Sequence, residues 1–426
     1  MTPDTIYAHS SGSPPAAIAV IRISGPEAFA AGNALAGSLP PPGQFRLRKL
    51  RDTSGELLDE ALVLTFRAPH SATGEDVVEL HCHGSRATAK VVQSALSRIP
   101  TLRQAQPGEF TRRALENGRM DLGQAEALAD LLSAETEAQR RHALLLLSGD
   151  LQRLLNTWRT QIVELSAIVE AAIDYVGDDD ETALDIRHVA RRARAIQAEM
   201  ARKLQQPRAD VLRDGIRIVI AGPVNSGKSS LINALSGQQK AITSDVPGTT
   251  RDVIEATVAF MGLPFVLADT AGLRPSEDPI ERIGVERANQ EVQSSDLLLW
   301  LGSPDTAPDH RAAILVHTKI DLPERRAVPH GSIGVSSKSG EGLSDLVTRI
   351  VALSRDRFPA ANEADLNQRQ ANDVAAASEA LEAITEDALL AAECLRCART
   401  ALDRATGHAG MEDVLDALFG RFCLGK

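Results

Sequence analysis

The sequence predicts an α/β protein joined to an all-α domain, and three observations carry that reading. Gly222-Pro223-Val224-Asn225-Ser226-Gly227-Lys228-Ser229 is a G-x-x-x-x-G-K-S loop between an apolar run, Ile216 to Ala221, and a helix-compatible stretch from Ser230 to Leu235. Strand, glycine-rich loop and helix in that order make a phosphate site, because backbone N–H groups and the helix dipole converge on the turn. Residues 1–118 mix short β-rich runs with turns. Ala/Leu/Glu/Arg texture with apolar residues at helical spacing runs from Leu122 to Leu204 and returns at Leu366.

Taken in order, Ala17–Ile23 and Glu60–Phe66 read as strands and Ala87–Ile99 as a helix, giving a small α/β domain over 1–118. In the helical stretch, Leu144, Leu147, Leu151, Leu154, Leu155 and Trp158 fit one face of a single long helix. The acidic break Gly177-Asp178-Asp179-Asp180-Glu181 separates it from a helix carrying Arg187, Arg191, Arg192 and Arg194, either a solvated face or a contact surface. Strands alternate with helices over 213–358, the nucleotide domain. The expected organisation is therefore 1–118 as the α/β domain, 119–212 as the first helical part, 213–358 as an inserted mostly parallel domain, and 359–426 as the second helical part.

Composition sets limits on partners. Hydrophobic residues make up 43% of the 426 and aromatics only 3%, so the cores must be built from Ala, Leu, Ile and Val. Lys plus Arg number 46 against 57 Asp plus Glu, a net charge of −11. That balance excludes nucleic-acid binding by bulk electrostatics, although a local basic patch remains open. The cysteines, Cys82, Cys394, Cys397 and Cys423, are too scattered for a disulfide framework. The start, Met1-Thr2-Pro3-Asp4-Thr5, lacks a basic and then apolar leader, and no apolar run reaches the roughly 18 residues of a membrane span. A reduced, cytoplasmic protein with no membrane contact is expected.

The nucleotide domain carries its motifs in sequence. Lys228 supplies a charge to the β/γ-phosphates, Ser229 a hydroxyl to Mg²⁺, and Ser230 opens the following helix. After Ser244 comes Asp245-Val246-Pro247-Gly248-Thr249-Thr250-Arg251-Asp252, a switch-like loop whose Thr250 joins Mg²⁺ when a γ-phosphate is present. Phe265 to Ala268 reads as a buried strand ending in Asp269-Thr270-Ala271-Gly272, with Asp269 in the Mg²⁺ shell and the Gly272 N–H on the γ-phosphate. Base identity comes from Thr318-Lys319-Ile320-Asp321. The Asp321 carboxylate accepts from guanine N1–H and the 2-amino group, a pair adenine lacks, so GTP is specified. Thr318 stands where asparagine is usual, and a threonine can still tie this loop to the phosphate loop. Ser336-Ser337-Lys338 resembles the loop that contacts guanine O6.

Hydrolysis needs another device. In Ras-like switches a glutamine after the D-x-x-G glycine orients the attacking water; here Leu273 offers no hydrogen-bonding group. An amide oxygen from Asn225 and carbonyls of the Asp245–Arg251 loop suit a monovalent cation. K⁺ there neutralises charge developing on the phosphates, as an arginine finger does elsewhere. Asn225, Lys228 and Arg251 are the catalytic candidates on this reading.

The motif set resembles translation-factor-like GTPases such as Era and Der, and the flanks choose among them. Phe422-Cys423-Leu424-Gly425-Lys426 looks like the C-[ILV]-G-K terminus of the MnmE (TrmE) family of tRNA-modification GTPases. Asp4-Thr5-Ile6, Ile21-Arg22-Ile23-Ser24-Gly25-Pro26, Thr73-Gly74-Glu75-Asp76-Val77-Val78-Glu79, Pro107-Gly108-Glu109-Phe110-Thr111-Arg112-Arg113 and Asn117-Gly118-Arg119-Met120-Asp121 agree with it. The resemblance implies a homodimer through an N-terminal domain that binds 5-formyl- or methylene-tetrahydrofolate. It implies G domains that pair when GTP and K⁺ are bound. It further implies a heterotetramer with an FAD-containing MnmG (GidA) protein that builds an aminomethyl or carboxymethylaminomethyl group on C5 of the wobble uridine of certain tRNAs. By the same resemblance K⁺ takes Asn225, Ser244, Val246 and Thr249, and Mg²⁺ takes Ser229 and Thr250. Glu281 orients water, Arg22, Glu79, Arg119 and Lys426 hold folate, and Cys423 is a nucleophile or redox candidate. The Arg187–Arg194 cluster then becomes a solvated face or a contact for tRNA or a partner. The chain departs from the family pattern at Ser13–Ala17, where a glycine-rich stretch is usual, and at Arg119, where lysine is commoner.

Overall fold

Period-two alternation makes the first sheet. In a computed structural model, which describes residues 4–174, 186–238, 255–269, 290–360, 363–408, 412–420, 422 and 425, the chain divides into two compact units: 1–129 with 406–426, and 130–405. The first begins with β1 (Thr5–His9), β2 (Ile18–Ser24), α1 (Ala28–Ala36), β3 (Phe45–Arg51), β4 (Leu57–Phe66), β5 (Val77–His83), α2 (Arg86–Ser97), β6 (Leu102–Gln104), α3 (Glu109–Glu116) and α4 (Leu122–Ser133). Its six-stranded sheet runs β3-β4-β5-β2-β1-β6. Alternate residues Ile21, Ile23, Val78, Leu80 and Cys82 face a core shared with Ala28, Ala31 and Leu35 of α1 and Val92 and Leu96 of α2. The intervening residues share the opposite face, where the β2–β5 register sets Arg22 against Glu79. β3 pairs antiparallel with β4 and leaves Phe45 66% and Leu47 58% exposed.

The end of the chain returns to this unit. A C-terminal helix, Glu412–Phe419, packs Leu418 and Phe419 onto Leu122 and Ala125, and Phe422 beyond it joins the same cluster. Gly425 then lies with φ 94° so close to β1 that a Cβ would sit 2.0 Å from the His9 carbonyl oxygen. Only glycine fits there.

The second unit opens with α5 (Glu137–Leu147) and α6 (Asp150–Asp174). The single long helix expected across Leu144–Trp158 is thus two: Gly149, at φ 78°, interrupts it. Leu144 is 44% exposed while Leu151, Leu155 and Trp158 are buried, so the apolar face belongs to α6 alone. The α6 helix packs with α7 (Ile186–Leu204) and with two helices far along the chain, and their shared core includes Trp158, Ile162, Met200, Val374, Leu381, Leu395 and Leu402. Between them lie α8 (Asp210–Asp214), β7 (Ile216–Ala221), α9 (Lys228–Gln238), β8 (Glu255–Phe260), β9 (Leu263–Asp269), β10 (Leu297–Trp300), β11 (Ala313–Thr318), β12 (Ile333–Val335) and α10 (Leu343–Ser354); α11 (Gln368–Glu382) and α12 (Ala388–Thr406) complete the helical core. The second sheet runs β12-β11-β10-β7-β9-β8, parallel except at β8. Buried Ile, Leu, Val and Phe fill it, as a sheet covered on both faces requires. Among the described residues no helix is long and apolar enough to cross a membrane.

Candidate functional site

Ligand sites in open parallel sheets form beyond the carboxyl ends of the strands. Three motifs meet that rule: the 222–227 loop follows β7, Asp269 ends β9, and Thr318 ends β11. In the phosphate loop Asn225 takes φ 61°, a left-handed backbone that asparagine tolerates better than most residues, and it is exposed at the tip. Lys228 Nζ donates to the Gly222 and Pro223 carbonyl oxygens at 3.0 and 3.1 Å. The ammonium therefore lies over the concavity that a phosphate enters. Ser226 Oγ is buried with no partner among the described residues.

The Ser229 hydroxyl donates to Asp269 Oδ2 at 2.9 Å. Two hard oxygen groups, one charged, stand side by side at the helix start, so the residues present fit a small divalent cation such as Mg²⁺.

The base loops are tied to this end. Thr318 is buried, and its hydroxyl donates to the Ser226 carbonyl at 2.6 Å. Lys319, at φ 65°, donates from Nζ to the Asn225 carbonyl at 2.7 Å. The carboxylate of Asp321, an exposed residue, accepts from the buried Ser336 hydroxyl at 2.7 Å, and that hydroxyl in turn accepts from Ser339 N at 3.1 Å. Lys338 N approaches Ser336 Oγ at 3.3 Å, and Ser337 lies between them. Sequence reasoning missed Arg325. Its Nε donates to the Thr318 carbonyl at 2.9 Å, while the His317 ring lies 2.9 Å from the Arg325 carbonyl, so a short turn after β11 clamps the guanine loop from behind.

Ser244 to Arg251, Thr270 to Leu273, Glu281, Cys423 and Lys426 lie outside the described residues.

The first unit holds a separate constellation. Arg22 donates from Nε to Glu79 Oε1 at 2.9 Å, with Nη2 2.8 Å from the same oxygen, and its guanidinium lies 5.5 Å from the centre of the Phe110 ring. His81 Nε2 stands 3.1 Å from Glu79 Oε2. Burial alone raises the Glu79 pKa, but the His81 hydrogen bond and the Arg22 charge outweigh it and hold the carboxyl below the usual glutamate range. A carboxylate that stays ionised can accept N–H donors from a pterin ring, and a guanidinium suits folate carboxylates, so these two groups fit that ligand chemically. Arg119 is exposed, with its stem against Gly74. No hydrogen bond or ion pair links it to Arg22 or Glu79 among the described residues. The neighbouring Cys82 thiol is pushed up to about 12, by burial first and then by Asp59, so it is unreactive. Cys394 and Cys397 are free thiols on α12.

Behind the sheet face, Arg113 joins three of the sequence segments. It reaches Asp4 Oδ1 at 2.6 Å, Glu75 Oε2 at 3.1 Å and Glu109 Oε1 at 3.1 Å while 8% exposed. Those carboxylates are scaffolding.

A lysine over the mouth of the phosphate loop, a serine–aspartate pair beside it and a carboxylate held ready for guanine make this a P-loop GTP hydrolase. The comparisons with known proteins narrow the class. The profile described as "GTP-binding protein TrmE N-terminus" matches residues 5–119, and that of the "MnmE helical domain" matches 122–423. The chain is 48% identical to the tRNA modification GTPase MnmE of Erythrobacter litoralis over 432 residues, 99% of this chain and all of the relative (100%). It is also 48% identical to that of Rhizorhabdus wittichii, over 99% of this chain and 97% of the relative. The G domain of the T. maritima FeoB iron transporter is 24% identical at a TM-score of 0.25, covering 33% of this chain and 98% of that one, too low a likeness to bear on the assignment. The chain belongs to the MnmE family of tRNA modification GTPases.

Proposed function

We propose that this chain is a K⁺-activated, dimerisation-dependent GTPase that works with an FAD-dependent MnmG-type partner. Together they form the aminomethyl or carboxymethylaminomethyl group at C5 of uridine 34 of certain tRNAs, drawing the carbon from a tetrahydrofolate. The observation that carries the nucleotide half is the exposed Asn225 at the left-handed apex of the phosphate loop, combined with Leu273 where a water-orienting glutamine would stand. K⁺ bound by Asn225 with Ser244, Val246 and Thr249 supplies positive charge beside the phosphates. Lys228 binds the β- and γ-phosphates, Ser229, Thr250 and Asp269 hold Mg²⁺, Arg251 adds charge from the switch loop, and Glu281 orients water. Asp321 with Lys338 selects guanine.

The folate half rests on Arg22 and Glu79. Gly425 lies against His9, whose neighbour Ala8 is the register partner of Arg22; Cys423 stands two residues before that glycine and Lys426 directly after it in the sequence. The homodimer reading is supported by Phe45 and Leu47, apolar side chains exposed on a sheet face. The division into 1–118, 119–212, 213–358 and 359–426 belongs to the same proposal, as does action in the cytoplasm, where tRNA is modified.

Mass analysis of wobble uridines tests the whole. Cells lacking this protein should lose the C5 substituents; unchanged substituents would overturn the modification reading.

A further inference from the structure

In a chain of net charge −11, the outer face of α7 has the opposite sign. The helix buries Val189, Ala190, Ala193, Ile196 and Met200 against the bundle. At the helical rotation of about 100° per residue, Arg187, Arg191, Arg194 and Arg202 fall within an arc of about 80° on the side away from those buried residues. All four are exposed. The stripe extends about 22 Å along the axis. Ala198 lies between them on that arc and Ala195 and Ala201 stand at its margins, all too short to shield a guanidinium. The one acidic residue of the described helix, Glu199, lies off the arc and accepts from Trp158 Nε1 at 3.0 Å. Off the arc, Arg192 reaches Glu164 at 3.3 Å and Lys203 reaches Asp365 at 2.9 Å, while on it Arg202 Nε donates to the Ala198 carbonyl at 3.3 Å.

We infer that this stripe is the surface on which the phosphate backbone of tRNA docks. The inference rests on the proposed action on tRNA. A straight row of guanidiniums on a rigid helix meets a polyanion by replacing its counterions, which yields affinity without base reading and a steep salt dependence. Carrying the positive charge on one helix lets an acidic protein hold RNA without a basic surface overall.

The test uses the full chain and an unmodified tRNA transcript, with binding read by fluorescence anisotropy across a salt series. The variant R187Q/R191Q/R194Q/R202Q should bind on the order of 10- to 100-fold more weakly. Its log–log salt slope should fall by about three units, the share of four lost phosphate contacts. GTP turnover and thermal unfolding should be unchanged. The all-lysine version of the four should restore most binding, since phosphate needs charge more than geometry. A control that removes four exposed arginines of other helices, R140Q/R141Q/R153Q/R396Q, should retain affinity. If wild type binds tRNA and the stripe variant binds equally with the same slope, the stripe inference fails alone. If wild type binds no tRNA, the tRNA reading and the stripe fall together. Loss of poly-glutamate binding with tRNA binding intact would assign the stripe to an acidic protein and overturn it as well.

Discussion

The nucleotide site and the Arg22–Glu79 site are built in opposite ways. The first concentrates its chemistry in short contiguous runs, where a strand end and a helix start dictate geometry. Its side chains bond within the loop or from one of those runs to the next, Lys228 to two loop carbonyls and Ser229 to Asp269. The second joins two charged residues 57 positions apart through a strand register, with the side chains only 22% and 15% exposed. Local bonds of the first kind are exchanged easily for a ligand. A part-buried ion pair is costly to break, because removing one partner strands the other.

The largest expected effect breaks the first site. Lys228→Ala should lower GTP turnover on the order of 10²- to 10³-fold, the scale of a lost charge-stabilising donor. Unfolding should barely move, since among the described residues the ammonium bonds to two carbonyls of its own loop. A matching loss of stability would show that Lys228 holds the fold. At the second site the order reverses. Glu79→Gln should destabilise the protein by about 1–3 kcal/mol in urea titrations, and Arg22→Met added to it should recover part of that loss. Simple additivity of the two would mean that the pair is not coupled. Weakened folate binding in both single variants, read by calorimetry, would sharpen the contrast.

A smaller effect concerns the guanine loop. Thr318→Asn should tighten GDP binding by a few-fold, about one added hydrogen bond to the base. No change would mean that Arg325 and Lys319 already hold the loop fully.

The smallest is a pH effect away from both sites. His142 on α5 is 8% exposed, and its Nε2 has no partner among the described residues. Burial holds its pKa below the ordinary histidine value, with Asp365 pulling it up and Lys203 pushing it down. The folded state thus favours the neutral ring, while the unfolded chain takes up a proton near about 6.5. The contribution is present above that value and is lost as pH falls below it. The urea midpoint of wild type should drop between about pH 7.5 and 5.5 more than that of His142→Gln. Parallel curves would remove His142 from the pH response.

What was legible in the sequence follows from the same contrast. The strand before the phosphate loop, the helix after it and the strand ending at Asp269 are local, so periodicity and spacing reveal them. Arg325 could not be found that way, because its bond to the Thr318 carbonyl depends on how a short turn folds back. Arg113 is a like case in part: Glu109 stands at i,i+4 on its own helix, but Asp4 and Glu75 come from two distant segments that no spacing relates to it. The break at Gly149 is hidden for a different reason: a leucine pattern at helical spacing runs on both sides of the glycine, although the exposed Leu144 shows that the two halves do not share a face. The Arg22–Glu79 pair lies between these cases: both residues stood in strand-like segments, and only the register set them opposite one another.

One measurement bears most directly on the proposed mechanism: GTP turnover in KCl against NaCl over a range of protein concentrations. Turnover that requires potassium and rises per molecule with concentration is the expected result. Equal rates in both salts, holding at high dilution, would contradict it.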